Sequence, residues 1–284
     1  MPYRNISFQN LTPLFGQTDV RNSSISRNLV IKKDLEIQLG LISDLISAFS
    51  TENDFDALKD RLKYYQELLQ TDIKADTENI VQTFILSEIH PLFQSIKLQN
   101  IEKNQLVTDY FKKLDSRTDM VYDFPKKFDE SLSSINRNLA DILDKRQEEQ
   151  QQRFPFYYER FKTDGVEHNM YIGSSIAPEL TYDPIFLKNL RLWQLRVLCE
   201  SELQYKKKKK NLDFSLDVSS LILVYSTTIS IRFRMDEKRF DVDGSYNARY
   251  EMIKKRIDKS TVKNSSERIT QPGKISIIFS QEKE

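Results

Sequence analysis

Three arginines near residues 230–240 have the spacing that could bind an anion. In Ile229–Met235 apolar residues fall at every second position, which predicts a strand with Arg232 and Arg234 on its opposite face. Arg239 follows in the predicted turn Asp236–Gly244. Guanidinium groups match the oxygens of phosphates and carboxylates, so this pattern indicates a site for a small anionic ligand or an acidic partner protein. The alternative is an exposed strand whose arginines pair with neighbouring acidic residues.

The following segment offers two further cations for such a site. A helix is predicted over Ser245–Lys259, with Arg249 and Lys254 on it. These two residues are best placed to complete the site. Lysines and arginines near the end of this helix would also offset its dipole, which is the structural alternative.

Two carboxylates lie within the same turn and could bind a metal. Asp241 and Asp243 are two residues apart, a spacing that can supply hard oxygen ligands to a divalent cation. With Arg232 and Arg234 holding a substrate, they would form a metal-dependent phosphate-handling enzyme. The simpler interpretation is that Asp243 caps the next helix and Asp241 closes the turn.

Other catalytic arrangements are not apparent in the sequence. His90 precedes a proline and His168 lies in a predicted strand, neither beside a nucleophile. Cys199 falls on a largely apolar helix and is expected to be a small core residue. The six glycines are scattered singly, so no phosphate-binding loop is formed. The sequence favours a non-enzymatic role without a cofactor.

Composition limits the partners and the compartment. The 284 residues contain 43 basic and 42 acidic side chains, so nucleic acid is an improbable partner. The lysines of Lys206–Lys210 would offset the dipole at the end of a helix. Few aromatic residues lie beside them that could stack on nucleic-acid bases. One cysteine fits a cytoplasmic protein, and the longest apolar run, Leu221–Tyr225, is too short to span a membrane.

The N-terminal half follows a helical period. Residues 1–127 are predicted to form a helical module, and its first helix carries one apolar stripe. The stripe consists of Ile31, Leu35, Leu39, Ile42, Leu45, Ile46 and Phe49. A third helix over Ile80–Lys97 should bend or break at His90-Pro91, because proline lacks a hydrogen-bond donor.

Residues 128–163 are predicted to form a long amphipathic connecting helix. Phe128, Leu132, Ile135, Leu139 and Ile142 follow one another at steps of four and three, which is a heptad seam. The helix either packs on the N-terminal module or forms a coiled coil that joins two copies of the chain in a signalling homodimer. The charged residues after the seam, 145–153, are interpreted as a solvated helix face.

Residues 164–284 are predicted to form an α+β domain. The predicted elements are strand Val166–Ile172, helix Ile185–Tyr205, strand Leu216–Tyr225, strand Ile229–Met235, helix Ser245–Lys259 and strand Lys274–Ser280. Asp183 and Pro184 form a start signal for the first helix. This order predicts a small, four-stranded, mainly antiparallel sheet with two helices, resembling a ferredoxin-like sandwich. The strand Ile229–Met235 is expected to pair with Leu216–Tyr225 as a hairpin.

Several segments resemble the C-terminal region of large bacterial GAF-domain-containing proteins. They are Phe154–Val166, Leu187–Leu195, Phe233–Tyr250, Ile253–Lys259 and Glu267–Lys274, with Phe15–Ser24 similar to the segment before the helical connector of those proteins. The resemblance covers about two-thirds of the chain and implies a sensory or regulatory protein. No stretch resembles the GAF domain itself, so the chain is expected to be a fragment or a member without its sensor.

Together these observations predict a cytoplasmic signalling or regulatory protein. Its C-terminal domain would bind a partner or a small anionic ligand, and the connecting helix would couple that event to the N-terminal module.

Overall fold

The protein divides into two compact units. A computed structural model describes residues 6–49, 55–71, 75–99, 101–243, 257 and 260–280. One unit is helical and comprises Asn22–Glu130, and the other combines Met1–Arg21 with Ser131–Glu284. The division into three domains predicted above, with boundaries after residues 127 and 163, stays a prediction.

The helical unit is built from amphipathic helices around one apolar core. Its elements are α1 (Ser23–Phe49), α2 (Asp56–Leu68), α3 (Ala75–Phe84), a π-helical turn (Ile85–Ile89), α4 (His90–Gln99), α5 (Ile101–Phe111) and the start of α6 (Phe124–Gln151). The predicted stripe of α1 lies in this core or packs against it. Phe49, Phe84 and Phe93 are among the largest fully buried side chains. The helical period of the sequence therefore corresponds to a buried face.

The predicted interruption at His90-Pro91 is a π-helical turn, Ile85–Ile89, within the helix. The backbone N–H of His90 donates to the carbonyl of Ile85, five residues earlier, and closes the π-helical turn between α3 and α4. The helix continues beyond it. The side chain of His90 is buried, and its Nε2 lies 3.0 Å from the hydroxyl of Tyr110, which also accepts a hydrogen bond from Gln38. This histidine therefore belongs to a satisfied network in the core.

The second unit contains a mixed sheet. Its elements are β1 (Ser7–Val20), the rest of α6, β2 (Tyr157–Lys162), β3 (Gly165–Ile172), α7 (Pro184–Lys208), a 3-10 turn (Lys209–Asn211), β4 (Val218–Tyr225), β5 (Ile229–Arg234), β6 (Arg239–Val242) and β7 (Ile275–Ser280). The strand order is β2-β3-β1-β4-β7, and β5 pairs with both β1 and β6. The β4–β7 pair is parallel, whereas the other pairs are antiparallel.

Strand β1 organises this sheet because it pairs with three other strands. Its residues from Leu14 to Val20 lie between β3 and β4, while Ser7 to Leu11 pair with β5, with a register shift between Phe8 and Leu11. Asn10, inside the shifted segment, has a φ of 54°. The shift separates the β5–β6 hairpin from the main ladder. The hairpin packs against the face of the sheet that carries Phe15 and Tyr171.

Helix α7 belongs to the opposite face. Leu190 of α7 is buried in one apolar cluster with Leu14 and Met170, which are neighbours in β1 and β3. Asp183 accepts a hydrogen bond from the backbone N–H of Ile185 at 2.7 Å, which confirms the predicted start of the helix. The two faces of the sheet are thus covered by different kinds of element.

The prediction of a helical bundle followed by a small four-stranded, ferredoxin-like sheet is wrong. The described residues form a seven-stranded mixed sheet within an α+β fold. The sheet includes β1, which lies in the segment predicted to be a helical module. It also includes β2, which lies in the segment predicted to be the connecting helix. That helix, α6, ends at Gln151. The residues predicted as one turn, 236–244, contain β6. The three added strands β1, β2 and β6 account for the larger sheet.

The pairing predicted for the strand at Ile229 is also wrong. β5 lies beside β1 and β6, and β4 lies between β1 and β7. The alternation predicted for β5 is confirmed, since Ile229 and Ile231 are buried while Arg232 and Arg234 are exposed. The helix predicted over Ser245–Lys259 falls almost entirely outside the described residues.

Three of the five apolar seam residues of α6 are buried within a single chain. Phe128, Ile135 and Leu139 are each less than 5% exposed. Both interpretations of the segment, a helix packed on the N-terminal module and a coiled-coil homodimer, stay predictions. Among the described helices, none has the length and apolarity needed to cross a bilayer.

Candidate functional site

The β5–β6 hairpin brings the three predicted arginines together. Arg234 lies directly opposite Arg239 across the hairpin, and Arg232 lies opposite Asp241. Because residues directly opposite each other point to the same side, these side chains share one face. All three arginines are exposed.

Each of these arginines already contacts carboxylates. Arg232 lies 2.9 Å from Asp243, and Arg234 lies 2.6 Å from Asp236. Arg239 lies 2.5 Å from one oxygen of Glu237 and 3.5 Å from Asp241. The hydrogen bond from Arg234 lowers the pKa of Asp236, so this carboxylate stays ionised. An incoming anion would have to displace these carboxylates.

The possible metal ligands of the hairpin are engaged in the same way. Asp243 accepts a hydrogen bond from Arg232, and Asp241 accepts one from Arg234 at 3.3 Å. Among the described residues, no three His, Cys, Asp or Glu side chains are grouped so that they could hold a metal ion. Arg249 and Lys254, the other two predicted site residues, lie outside the part of the chain that the structure describes.

Cys199 and His168 also have defined positions. Cys199 is exposed on α7, so the expectation that it is a core residue is wrong. His168 is fully buried in β3, with its Nε2 3.1 Å from the amide nitrogen of Gln194. Burial lowers the pKa of His168 to about 4. A neutral, enclosed imidazole is a structural group rather than an exposed base.

A cleft of about 380 Å³ lies between α6 and α7. Ile135 and Leu139, earlier in α6, line a small gap with Tyr205, which is late in α7. Arg146, later in α6, donates a hydrogen bond to Glu200, which is earlier in α7 than Tyr205. The helices are therefore antiparallel. The α6 side of the cleft is lined by Arg146, Glu149 and Gln150, with Arg153 just beyond the helix. The α7 side is lined by Asn189, Leu192, Trp193, Arg196, Val197 and Glu200.

Arg146 joins the two walls of this cleft. Its Nε and Nη2 each donate to Glu200 at 2.9 Å, and its Nη1 donates to Glu149. The hydrogen bonds from Arg146 lower the pKa of Glu200. The indole N–H of Trp193 donates to the backbone carbonyl of Arg146 at 3.2 Å. Both carboxylates of the cleft are thus committed to one arginine, in a bidentate geometry that also fixes the helix pair.

Two other arginines of the cleft are available for a ligand. Arg153 and Arg196 are exposed, and neither forms a salt bridge with any described residue. The lining contains three arginines and two carboxylates, so its formal charge is positive. Arg153 and Arg196 are the groups in the cleft best able to bind an anion, because they need not break an existing ion pair.

No family model matches the chain, and no curated protein or solved structure matches it either. The described residues offer two groups of arginines, one paired on the hairpin and one partly unpaired in the cleft.

The cleft was missed in the sequence, although the signal is present there. On α6 and its end the lining residues fall at steps of three, one and three, which is one helical stripe. On α7, Asn189, Trp193, Arg196 and Glu200 also share a stripe. Each stripe alone looks like a solvated face. Only their antiparallel packing makes a concave site.

Proposed function

We propose that the protein is a non-enzymatic regulatory protein whose α+β unit binds a small anionic ligand in the cleft between α6 and α7. The observation that carries this proposal is the presence of Arg153 and Arg196 in a concave site without a carboxylate partner among the described residues. The hairpin first predicted as the site has three arginines, but these already contact Asp236, Glu237, Asp241 and Asp243.

The position of α6 supports a regulatory role for this ligand. The end of α6 contributes Arg146, Glu149 and Gln150 to the cleft. Its beginning lies in the helical unit, where Asp34 accepts hydrogen bonds from the backbone N–H groups at residues 123 and 124. A ligand that changes the packing of α6 against α7 would act on a helix that extends into the helical unit. This is the coupling that the sequence suggested.

The resemblance to the C-terminal region of GAF-domain-containing bacterial proteins also motivates the regulatory role. Dimerisation through residues 128–142 is not part of the proposal, because three of the five seam residues of α6 are already buried within one chain. The alternative of a metal-dependent phosphate-handling enzyme is not carried further, since no observation on Asp241 and Asp243 favours it.

Titration calorimetry of the full chain with inorganic phosphate and pyrophosphate tests the proposal. Arg153→Gln and Arg196→Gln should each weaken binding by about tenfold to a hundredfold, because a hydrogen bond to a charged group contributes about 1.5–3 kcal/mol. Arg137→Gln and Arg191→Gln remove exposed arginines of the same two helices outside the cleft and should leave affinity unchanged.

A hairpin variant separates the two groups of arginines. Arg234→Gln should not change the affinity for either anion if the ligand occupies the cleft. Loss of binding in Arg234→Gln, with binding retained in Arg153→Gln and Arg196→Gln, would move the site to the hairpin. Absence of binding to the wild-type chain would reject the proposal.

A further inference from the structure

We propose that the ligand of the α6–α7 cleft is an aromatic phosphate monoester, a class that includes nucleoside monophosphates and aryl phosphates. This inference rests on the proposed function and adds a second recognition element to it. The cleft volume of about 380 Å³ is within the range of sites for organic ligands, about 300–1,000 Å³. A bare inorganic anion would leave much of that volume unfilled.

Apolar groups form part of the lining. Leu192, Trp193 and Val197 of α7 all line the cleft, and Trp193 and Val197, four residues apart, lie on one face of the helix. Leu192 is 45% exposed, so its side chain is accessible to a ligand in the cleft. Burial of Leu192 under a ligand would gain hydrophobic free energy that an inorganic anion cannot provide.

Trp193 supplies an aromatic surface rather than a polar contact. Its indole N–H is already used by the carbonyl of Arg146, at 3.2 Å, so the ring itself is what remains for a ligand. The ring is half-buried and packs on Phe156 at 6.4 Å between centroids, which fixes its orientation. Contact between two aromatic rings contributes about 0.5–1.5 kcal/mol of binding free energy in addition to the hydrophobic gain from the buried area.

Polar groups of the cleft match the remaining parts of such a ligand. Arg153 and Arg196 provide the donors for a phosphate. Asn189 and Gln150 carry amides, which can both donate and accept hydrogen bonds with ring heteroatoms or hydroxyls. Arginines, an aromatic ring and amides in one cleft are the combination expected for an anion attached to a flat ring.

The chain contains a single tryptophan, so binding in the cleft can be followed by intrinsic fluorescence. The full chain is titrated with phenyl phosphate, methyl phosphate and inorganic phosphate. Phenyl phosphate should bind about tenfold more tightly than methyl phosphate and should change the emission of Trp193. The two esters carry the same ionisable group, so the difference reports the ring.

Two variants test which residues recognise the ring. Trp193→Leu should reduce the affinity for phenyl phosphate to that for methyl phosphate, measured by calorimetry because the fluorophore is lost. Leu192→Ser, at an exposed position, should reduce the same preference about threefold without disturbing the fold. Arg153→Gln should weaken all three ligands equally.

The outcomes distinguish this inference from the proposed function. Equal affinity for the phenyl and methyl esters, with both lost in Arg153→Gln, would overturn the aromatic class and leave anion binding in the cleft intact. Failure of all three ligands to bind would overturn both. A preference for phenyl phosphate that persists in Leu192→Ser and Trp193→Leu would place the ring elsewhere and overturn the inference.

Discussion

Gly16 lies directly beneath the imidazole of His168. The two residues are paired across β1 and β3, and a Cβ built on Gly16 would lie 2.3 Å from Cε1 of His168 and 2.8 Å from Nε2 of Gln194. No real Cβ approaches another atom so closely, so the absence of a side chain at residue 16 is what admits the histidine. A polar pair, His168 and Gln194, thereby occupies the interface between the sheet and α7.

Gly16→Ala should destabilise the α+β unit by about 1–3 kcal/mol, because the added methyl forces the histidine and its amide partner to move. Chemical denaturation monitored by circular dichroism measures the change. Gly40→Ala is the control: nothing lies within 4 Å of a Cβ at this helical position, so alanine should stabilise α1 by about 0.5–1 kcal/mol. Equal effects of the two substitutions would show that the close approach is unimportant.

His168 should make the protein less stable in mild acid. Burial lowers its pKa in the folded state to about 4, below the 6.5 of an unperturbed histidine, so the unfolded chain binds more protons between these values. The free energy of unfolding should therefore fall as pH decreases from about 6.5 to 4, by up to about 1.4 kcal/mol per unit.

His168→Gln should reduce this slope while retaining an amide at the site. The free energy of unfolding of wild type and variant is measured at several pH values, and slopes rather than absolute stabilities are compared. His168→Leu provides a second variant if glutamine packs poorly. Parallel pH profiles for all three proteins would contradict a neutral, buried histidine.

Asp34 should stabilise the beginning of α6. This residue of α1 is 2% exposed and accepts hydrogen bonds from the N–H groups of Asp123, at 2.7 Å, and Phe124, at 3.2 Å. Burial raises its pKa, while the two N–H groups oppose that shift. Asp34→Ala leaves these donors without an acceptor and should cost about 1–3 kcal/mol in the helical unit.

The control for Asp34 is on the same helix. Asp44→Ala removes an exposed carboxylate of α1 and should change stability by no more than about 0.5 kcal/mol. Thermal unfolding followed by circular dichroism compares the two. If Asp34→Ala melts like Asp44→Ala, the cap at the start of α6 contributes little.

Local patterns predicted helices better than they predicted the sheet. The α1 stripe follows a 3.6-residue period over seven positions, and this period corresponds to the buried face. The start of α7 was predictable because Asp183 and Pro184 act on the adjacent backbone. Such signals depend on residues near one another in the chain.

Strand β1 could not be predicted from its own residues. Pro13 and Gly16 are unfavourable in strand interiors, and Thr18 is polar yet buried. What makes this segment a strand is its pairing with β3 and β4, and the hydroxyl of Thr18 lies 2.9 Å from that of Ser220, 202 residues later. Contacts between residues so far apart in the chain produce no periodic pattern in the local sequence.

The candidate site was predictable only in part. The shared face of Arg232, Arg234 and Arg239 was expected from alternation, and their pairing with neighbouring acidic residues was the structural interpretation of the same pattern. The cleft was not predicted, since it depends on how α6 and α7 pack. Concave sites between distant helices require the tertiary structure.

Magnesium should not stabilise the protein through the hairpin. Asp241 and Asp243 already contact Arg234 and Arg232, so a divalent cation would have to compete with two guanidinium groups. We expect millimolar magnesium or manganese to leave the melting temperature of the wild type and of Asp241→Asn unchanged. A shift in the wild type that disappears in Asp241→Asn would favour the metal-dependent enzyme, because a ligand of the native state stabilises it.

Leu139→Asp should unfold the protein rather than dissociate a dimer. The side chain of Leu139 is 1% exposed, so aspartate would bury an unpaired charge and cost about 3 kcal/mol or more. Arg137→Asp introduces the same group two residues away at an exposed position of α6 and should be tolerated. Light scattering and circular dichroism together report mass and helicity. A folded Leu139→Asp chain with half the mass of the wild type would instead support the coiled-coil homodimer, because the seam would then face a second copy.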